Sequence, residues 1–342
     1  MRTYIITILL QTRYYTMRKI IYFLLVLIIT GMACKKIQEG FLSDTMRYID
    51  KNIYCLRGLP LVQSQRIDID GSTPPITFDM QNLRHENGDP APKEFFSEYE
   101  VLMFKPGMTF DIKTDTTVAE LNKKREKRTV TPMEFNPVSG QISFNRGSVN
   151  IPLGKYIFDL QATNVNGTKL FPSFGTINIV DPLPEDIFLQ EDNVSNAFHD
   201  VTGVATAHKN PKLTFTKVSN DGARIILKIS DKNGKPFNPK AGEIIRRGDR
   251  PTFENYARFT PVQFTDTAMI CDFEVAPFPL AKYITPTTDW GHLIYYRIPS
   301  RFATIDGFTP GLYSVNPRFA FTLKMEGTYI IELRLTDVTR TN

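Results

Sequence analysis

Two seven-residue stretches constrain this chain more than any other feature. They are Gly154-Lys-Tyr156-Ile-Phe-Asp-Leu160 and Gly327-Thr-Tyr329-Ile-Ile-Glu-Leu333. Each sets apolar residues at every second position behind a Gly-x-Tyr entry. Side chains alternate across a strand, so Tyr156, Phe158, Leu160 and Ala162 fall on one face. Asn166-Gly167 then predicts a hairpin turn, and Thr176–Val180 predicts the returning strand. In each stretch the tyrosine hydroxyl is placed to bond nearby backbone and pin the entering loop.

The rest of the chain from about Gly58 follows the same grammar. Ile76–Leu83 alternates strictly, and Gln65–Asp70, Tyr99–Phe104 and Met108–Ile112 read as further strands. Thr117–Arg128 reads as one helix capped by Asp115 or Thr116, its end a basic face. Asp181-Pro-Leu-Pro-Glu-Asp186 reads as a stiff linker, and Ile187–Pro211 as a loop with one helical turn. Strands are expected again at Lys212–Val218, Ala223–Ile229, Ala268–Val275, Leu293–Ile298, Arg318–Lys324 and Thr328–Thr336. The Gly-x-Tyr device resembles the tyrosine corner of immunoglobulin-like sandwiches, with Tyr156 and Tyr329 as the corner residues. The expected fold is all-β with two β-sandwich domains. Residues 58–181 form the first, immunoglobulin-like, with one short helix. Residues 212–342 form the second, immunoglobulin-like or jelly-roll-like, and residues 182–211 link them.

The start of the chain carries an address. Arg18-Lys19 precedes an uncharged run, Ile20–Ala33, and Cys34 follows directly. Fourteen residues are too few to cross a bilayer, which takes about 20, but they suit a signal peptide. Residues 1–33 are read as that signal, with Met17 as an alternative start, and residues 34–57 as a tether. Cys34 is the expected lipidation site; Gly31-Met32-Ala33 also satisfies ordinary secretory cleavage. The signal holds four cations and no acid, so the net charge of +5 falls to +1 on its removal. A near-neutral chain offers no electrostatic footprint for nucleic acid. Cys55 and Cys271 remain, either as a disulfide or, the favoured reading, as two buried thiols.

The sequence shows little chemistry. None of His85, His199, His208 and His292 sits in a metal-ligand spacing, and His85 reads as a solvated loop residue. There is no Gly-x-Ser-x-Gly elbow and no phosphate loop. The expectation is a non-enzyme with neither cofactor nor metal. The best local ligand candidate is Asp289, Trp290 and His292 with Tyr295, where exposed aromatics would stack on a sugar ring. For Trp290 itself the favoured reading is a core or loop anchor.

The signal ending at Cys34, Pro75–Arg84, Gly88-Asp-Pro-Ala-Pro92, the Gly154–Asn164 strand and the Asp231–Pro236 turn together resemble a family of Bacteroidota envelope lipoproteins of unknown function. That family is often found with SusC/SusD-type glycan-uptake systems. The resemblance implies a lipid-anchored outer-membrane protein, partnered by a glycan or a transporter complex. A structural or adhesive surface role is the alternative. Lys35 and Lys36 follow the cysteine and Glu39 comes late, which leaves open whether the protein faces the surface or the periplasm.

Overall fold

The computed structural model describes residues 40–191 and 193–341. Cys34 and residues 1–33, expected as a signal peptide, lie outside these residues. No helix among the described residues is long and apolar enough to cross a membrane.

The first unit contains β1 (Asn52–Leu56), β2 (Leu61–Gln63), β3 (Thr77–His85), β4 (Tyr99–Phe104), the helix α1 (Val118–Lys123), β5 (Arg125–Val130), β6 (Met133–Phe135), β7 (Ile142–Asn145), β8 (Gly154–Asn164) and β9 (Gly167–Val180). One sheet runs β1-β9-β8-β3 and its partner β2-β7-β6, with β4 and β5 as a separate pair. β1 lies parallel to β9, and the other pairs are antiparallel. This order is that of an immunoglobulin-like sandwich whose tyrosine corner enters the penultimate strand. Tyr156, Phe158, Leu160 and Ala162 are all fully buried, facing Ile142 and Phe144 of the other sheet in one core. Asn82 takes a positive φ and shifts the β3 register between Gln81 and Arg84.

The second unit contains the short helix α2 (Pro184–Ile187), β10 (Phe188–Gln190), β11 (Val194–His199), β12 (Ala205–Ala207), β13 (Lys212–Ser219), β14 (Arg224–Ser230), β15 (Ile245–Arg246), β16 (Gln263–Phe264), β17 (Met269–Asp272), β18 (Ile294–Arg297), β19 (Ala303–Ile305), β20 (Tyr313–Phe319), β21 (Phe321–Leu323), β22 (Thr328–Arg334) and β23 (Val338–Arg340). Two five-stranded sheets, β13-β22-β14-β17-β16 and β12-β11-β20-β18-β15, share a second core. β22 sits between β13 and β14, which are consecutive in sequence, and runs parallel to β14. That parallel pair sets the order apart from a wholly antiparallel jelly roll.

Several expected elements differ, each for a local reason. The tether supplies β1, with Ile53 and Cys55 buried, so the first sheet begins before residue 58. Gln65–Asp70 keeps only one bridge, Arg47 to Asp68. The Asp70 carboxylate is instead committed to the hydroxyls of Ser43 and Thr45. Met108–Ile112 is a loop drawn towards the second unit. The expected helix stops after six residues: Thr117 caps it by accepting the Glu120 N–H, and Asp115 is buried against Lys124. The basic run then becomes β5, because β4 needs an edge partner and Arg125 is buried across the junction. The segment expected as a linker carries α2, β10, β11 and β12, and buries Ile187, Phe188 and Ala197 in the second core. Its alternation is faint because the inward positions on β11 are the small Ser195 and Ala197.

Candidate functional site

Both tyrosine corners close on backbone. Tyr156 donates to the Pro152 carbonyl at 2.9 Å, and Tyr329 donates to the Met325 carbonyl at 3.1 Å. A Cβ at Gly327 would lie 2.9 Å from the Ser219 carbonyl oxygen, so only glycine fits that entry. His85, expected as a solvated loop residue, ends β3 with its ring 4.5 Å from that of Tyr156. Cys55 and Cys271 are free thiols in different cores, each pushed up to about 12 by burial.

The loop proposed for sugar binding is a small hairpin in which Ile284 bridges Asp289. Its four candidates do not converge on one open face. Asp289 is exposed, accepts the Gly291 N–H and pairs with Lys282 at 3.5 Å. Trp290 is half-buried, with the Arg250 guanidinium 5.6 Å from its ring centroid. His292 turns its Nδ1 to the Thr322 hydroxyl. Tyr295 is buried and holds the Pro251 carbonyl through its backbone N–H. Sequence alternation did not reveal this, because Tyr295 belongs to a strand covered on both faces.

A concavity with a volume of about 530 Å³ lies between the two units. Its walls are aliphatic: Leu61, Val101, Leu102, Met103 and Met108 from the first unit, and Val275 from the second. Phe104 is the aromatic residue of the wall. At its polar end stand Arg125 and Arg146 from the first unit, with Glu274 and Glu326 from the second. Arg125 donates to the Glu274 carbonyl at 2.9 Å and lies 3.7 Å from its carboxylate. Arg146 pairs with Glu326, which also accepts the Ala276 N–H at 3.1 Å. Burial and the nearby Arg125 charge push the Arg146 guanidinium down to about 10, so it stays charged at neutral pH. Two cations facing two anions leave this end balanced. A smaller recess of about 330 Å³, with Gly58 and Asn220 on its sides, shares Arg146 and Glu326.

The units are held together around this cleft. The arm from β4 to β5 reaches across: Arg258 donates to the carbonyls of Asp115 and Ile112, and Phe110 meets Phe259 edge to face at 6.2 Å. Gly58 has a φ of +78°, and a Cβ there would fall 2.8 Å from Met325 Cε. None of the cleft residues stands out by spacing, since each ion pair joins positions far apart in the chain.

A second arrangement also escapes sequence reading. His208 Nδ1 lies 2.9 Å from Asp337 Oδ1, and His208 Nε2 lies 2.7 Å from Ser195 Oγ. With Asp337 ionised, Nδ1–H donates to the carboxylate and Nε2 accepts the serine hydroxyl. This is the bonding order of a nucleophilic triad. Ser195 is 1 % exposed, however, and the His208 side chain is equally covered, so Oγ has no approach for a substrate carbonyl. The trio instead ties β11 to the residue after β12 and to the turn before β23. Among the described residues, no three His, Cys, Asp or Glu side chains gather as metal ligands.

A comparison with family models finds none that matches this chain, and a comparison with curated proteins finds no similar sequence.

Proposed function

We propose that this is a non-catalytic envelope protein, lipid-anchored at Cys34 in the outer membrane, that holds a small amphiphilic ligand in the cleft between its units. The carrying observation is the cleft itself. Its volume lies within the usual range for small-molecule sites, its walls are apolar, and a few polar groups converge at one end. Aliphatic walls suit an acyl or alkyl body better than a sugar ring, which needs aromatic faces to stack on. The balanced pairs at the polar end favour an uncharged head group, because a charged one would have to displace a buried partner. The Cys34 signal and the resemblance to Bacteroidota lipoproteins support a role beside an outer-membrane uptake system. Glycan capture at Trp290 has less support, since Tyr295 is buried and Arg250 lies against the indole.

A spacer or adhesive role draws on the same cross-linked junction, and one experiment separates the two. The chain from residue 34 onward is titrated with the neutral fluorophore N-phenylnaphthylamine. Ligand binding predicts saturable enhancement at one site, and Leu102→Asp, an exposed substitution on the cleft wall, removes it. A spacer predicts no saturable enhancement in either protein.

A further inference from the structure

The described chain begins at the end of the first unit remote from the cleft. Asn164 donates to the Phe41 carbonyl, Lys169 pairs with Asp44, and Gly40 packs on Asn166. These contacts place Gly40 against the β8–β9 hairpin tip at Val165 and Asn166. The opposite end of β9 is Val180, whose carbonyl accepts the Arg57 N–H beside Gly58 and the junction. β9 has 14 residues, and at about 3.3 Å each it separates the two ends by roughly 45 Å. The six residue steps from Cys34 to Gly40 reach at most about 22 Å.

The tip also has the surface chemistry of a membrane contact. Val165 is 70 % exposed at the tip, and Phe41 beside it and Leu170 further along β9 are also open to solvent. Leu170 lines a shallow depression with Arg47, Lys169 and the exposed acid Asp44, which pairs with Lys169. Apolar side chains that enter the acyl boundary, next to cations that meet anionic head groups, form an interfacial footprint.

We infer that the Val165–Asn166 tip, with Phe41 and Leu170, rests on the phospholipid surface to which Cys34 is tethered, so that the cleft opens on the far side. The inference rests on the lipid anchor of the proposed function and is independent of what the cleft binds.

Its test uses the lipidated full chain, reconstituted in vesicles of phosphatidylethanolamine and phosphatidylglycerol with brominated acyl chains. Trp290, the sole tryptophan, serves as the distant reference. Val165→Trp adds an indole at the tip, and Leu102→Trp, in a separate protein, adds one at the cleft mouth. The expected result is loss of most of the emission added at position 165, with no loss at position 102 or from Trp290. Equal emission at position 165 in brominated and plain vesicles, with the protein floating with them, overturns the orientation alone. Failure of the unmutated chain to incorporate palmitate or to float, as Cys34→Ser is expected to fail, removes the anchor and the inference with it.

Discussion

At the residue scale, the best-determined features are side chains that answer buried backbone. Tyr156 and Tyr329 each give one hydroxyl to a carbonyl four residues upstream. Replacing either by phenylalanine keeps the packed ring and leaves that carbonyl short of a donor, so each change is expected to cost about 1 kcal/mol in urea unfolding. Asp231 plays the matching role for an acid. Burial opposes its charge, but N–H donors from Arg340, Lys235 and Asn233 outweigh that and hold its carboxyl below the ordinary range. A lowered folded value means that the stabilisation is complete above the unfolded value, near 3.9, and is lost as pH falls through the folded one. The stability gap between the natural chain and Asp231→Asn is therefore expected to be widest near neutrality and to close below about pH 4.

At the element scale, strands with strong alternation were legible and segments decided by distant partners were not. Gly154–Asn164 and Thr328–Arg334 carry their burial pattern in their sequence, because every second residue is large and apolar. β5 reads as a basic helix, and only its pairing with β4 and the burial of Arg125 make it a strand. β11 was missed because serine and alanine give little hydrophobic signal. The same blindness hid the Ser195–His208–Asp337 chain, whose members are brought together by the second sheet rather than by spacing. If that chain is a clasp, His208→Ala leaves a buried hydroxyl and a buried carboxylate short of partners, and should cost about 1–3 kcal/mol. Ester hydrolysis by the unmutated protein, abolished in Ser195→Ala, would contradict the clasp.

At the scale of the whole molecule, the two cores are separate and the function proposed belongs to neither alone. The first unit supplies the arm, most of the aliphatic wall and two arginines; the second supplies Val275 and two glutamates. Sequence reading located the strongly alternating strands of both units but looked for a site within one loop of the second. Nothing in a single chain segment marks a surface that exists only when residues near 102, 146, 275 and 326 meet. The measurement that tests this most directly is amide hydrogen exchange with and without saturating N-phenylnaphthylamine. The account predicts slowed exchange at Val101–Phe104 and at Glu274–Ala276 together, with the loop at Trp290 unchanged. Protection confined to one unit, or centred on Trp290, would contradict it.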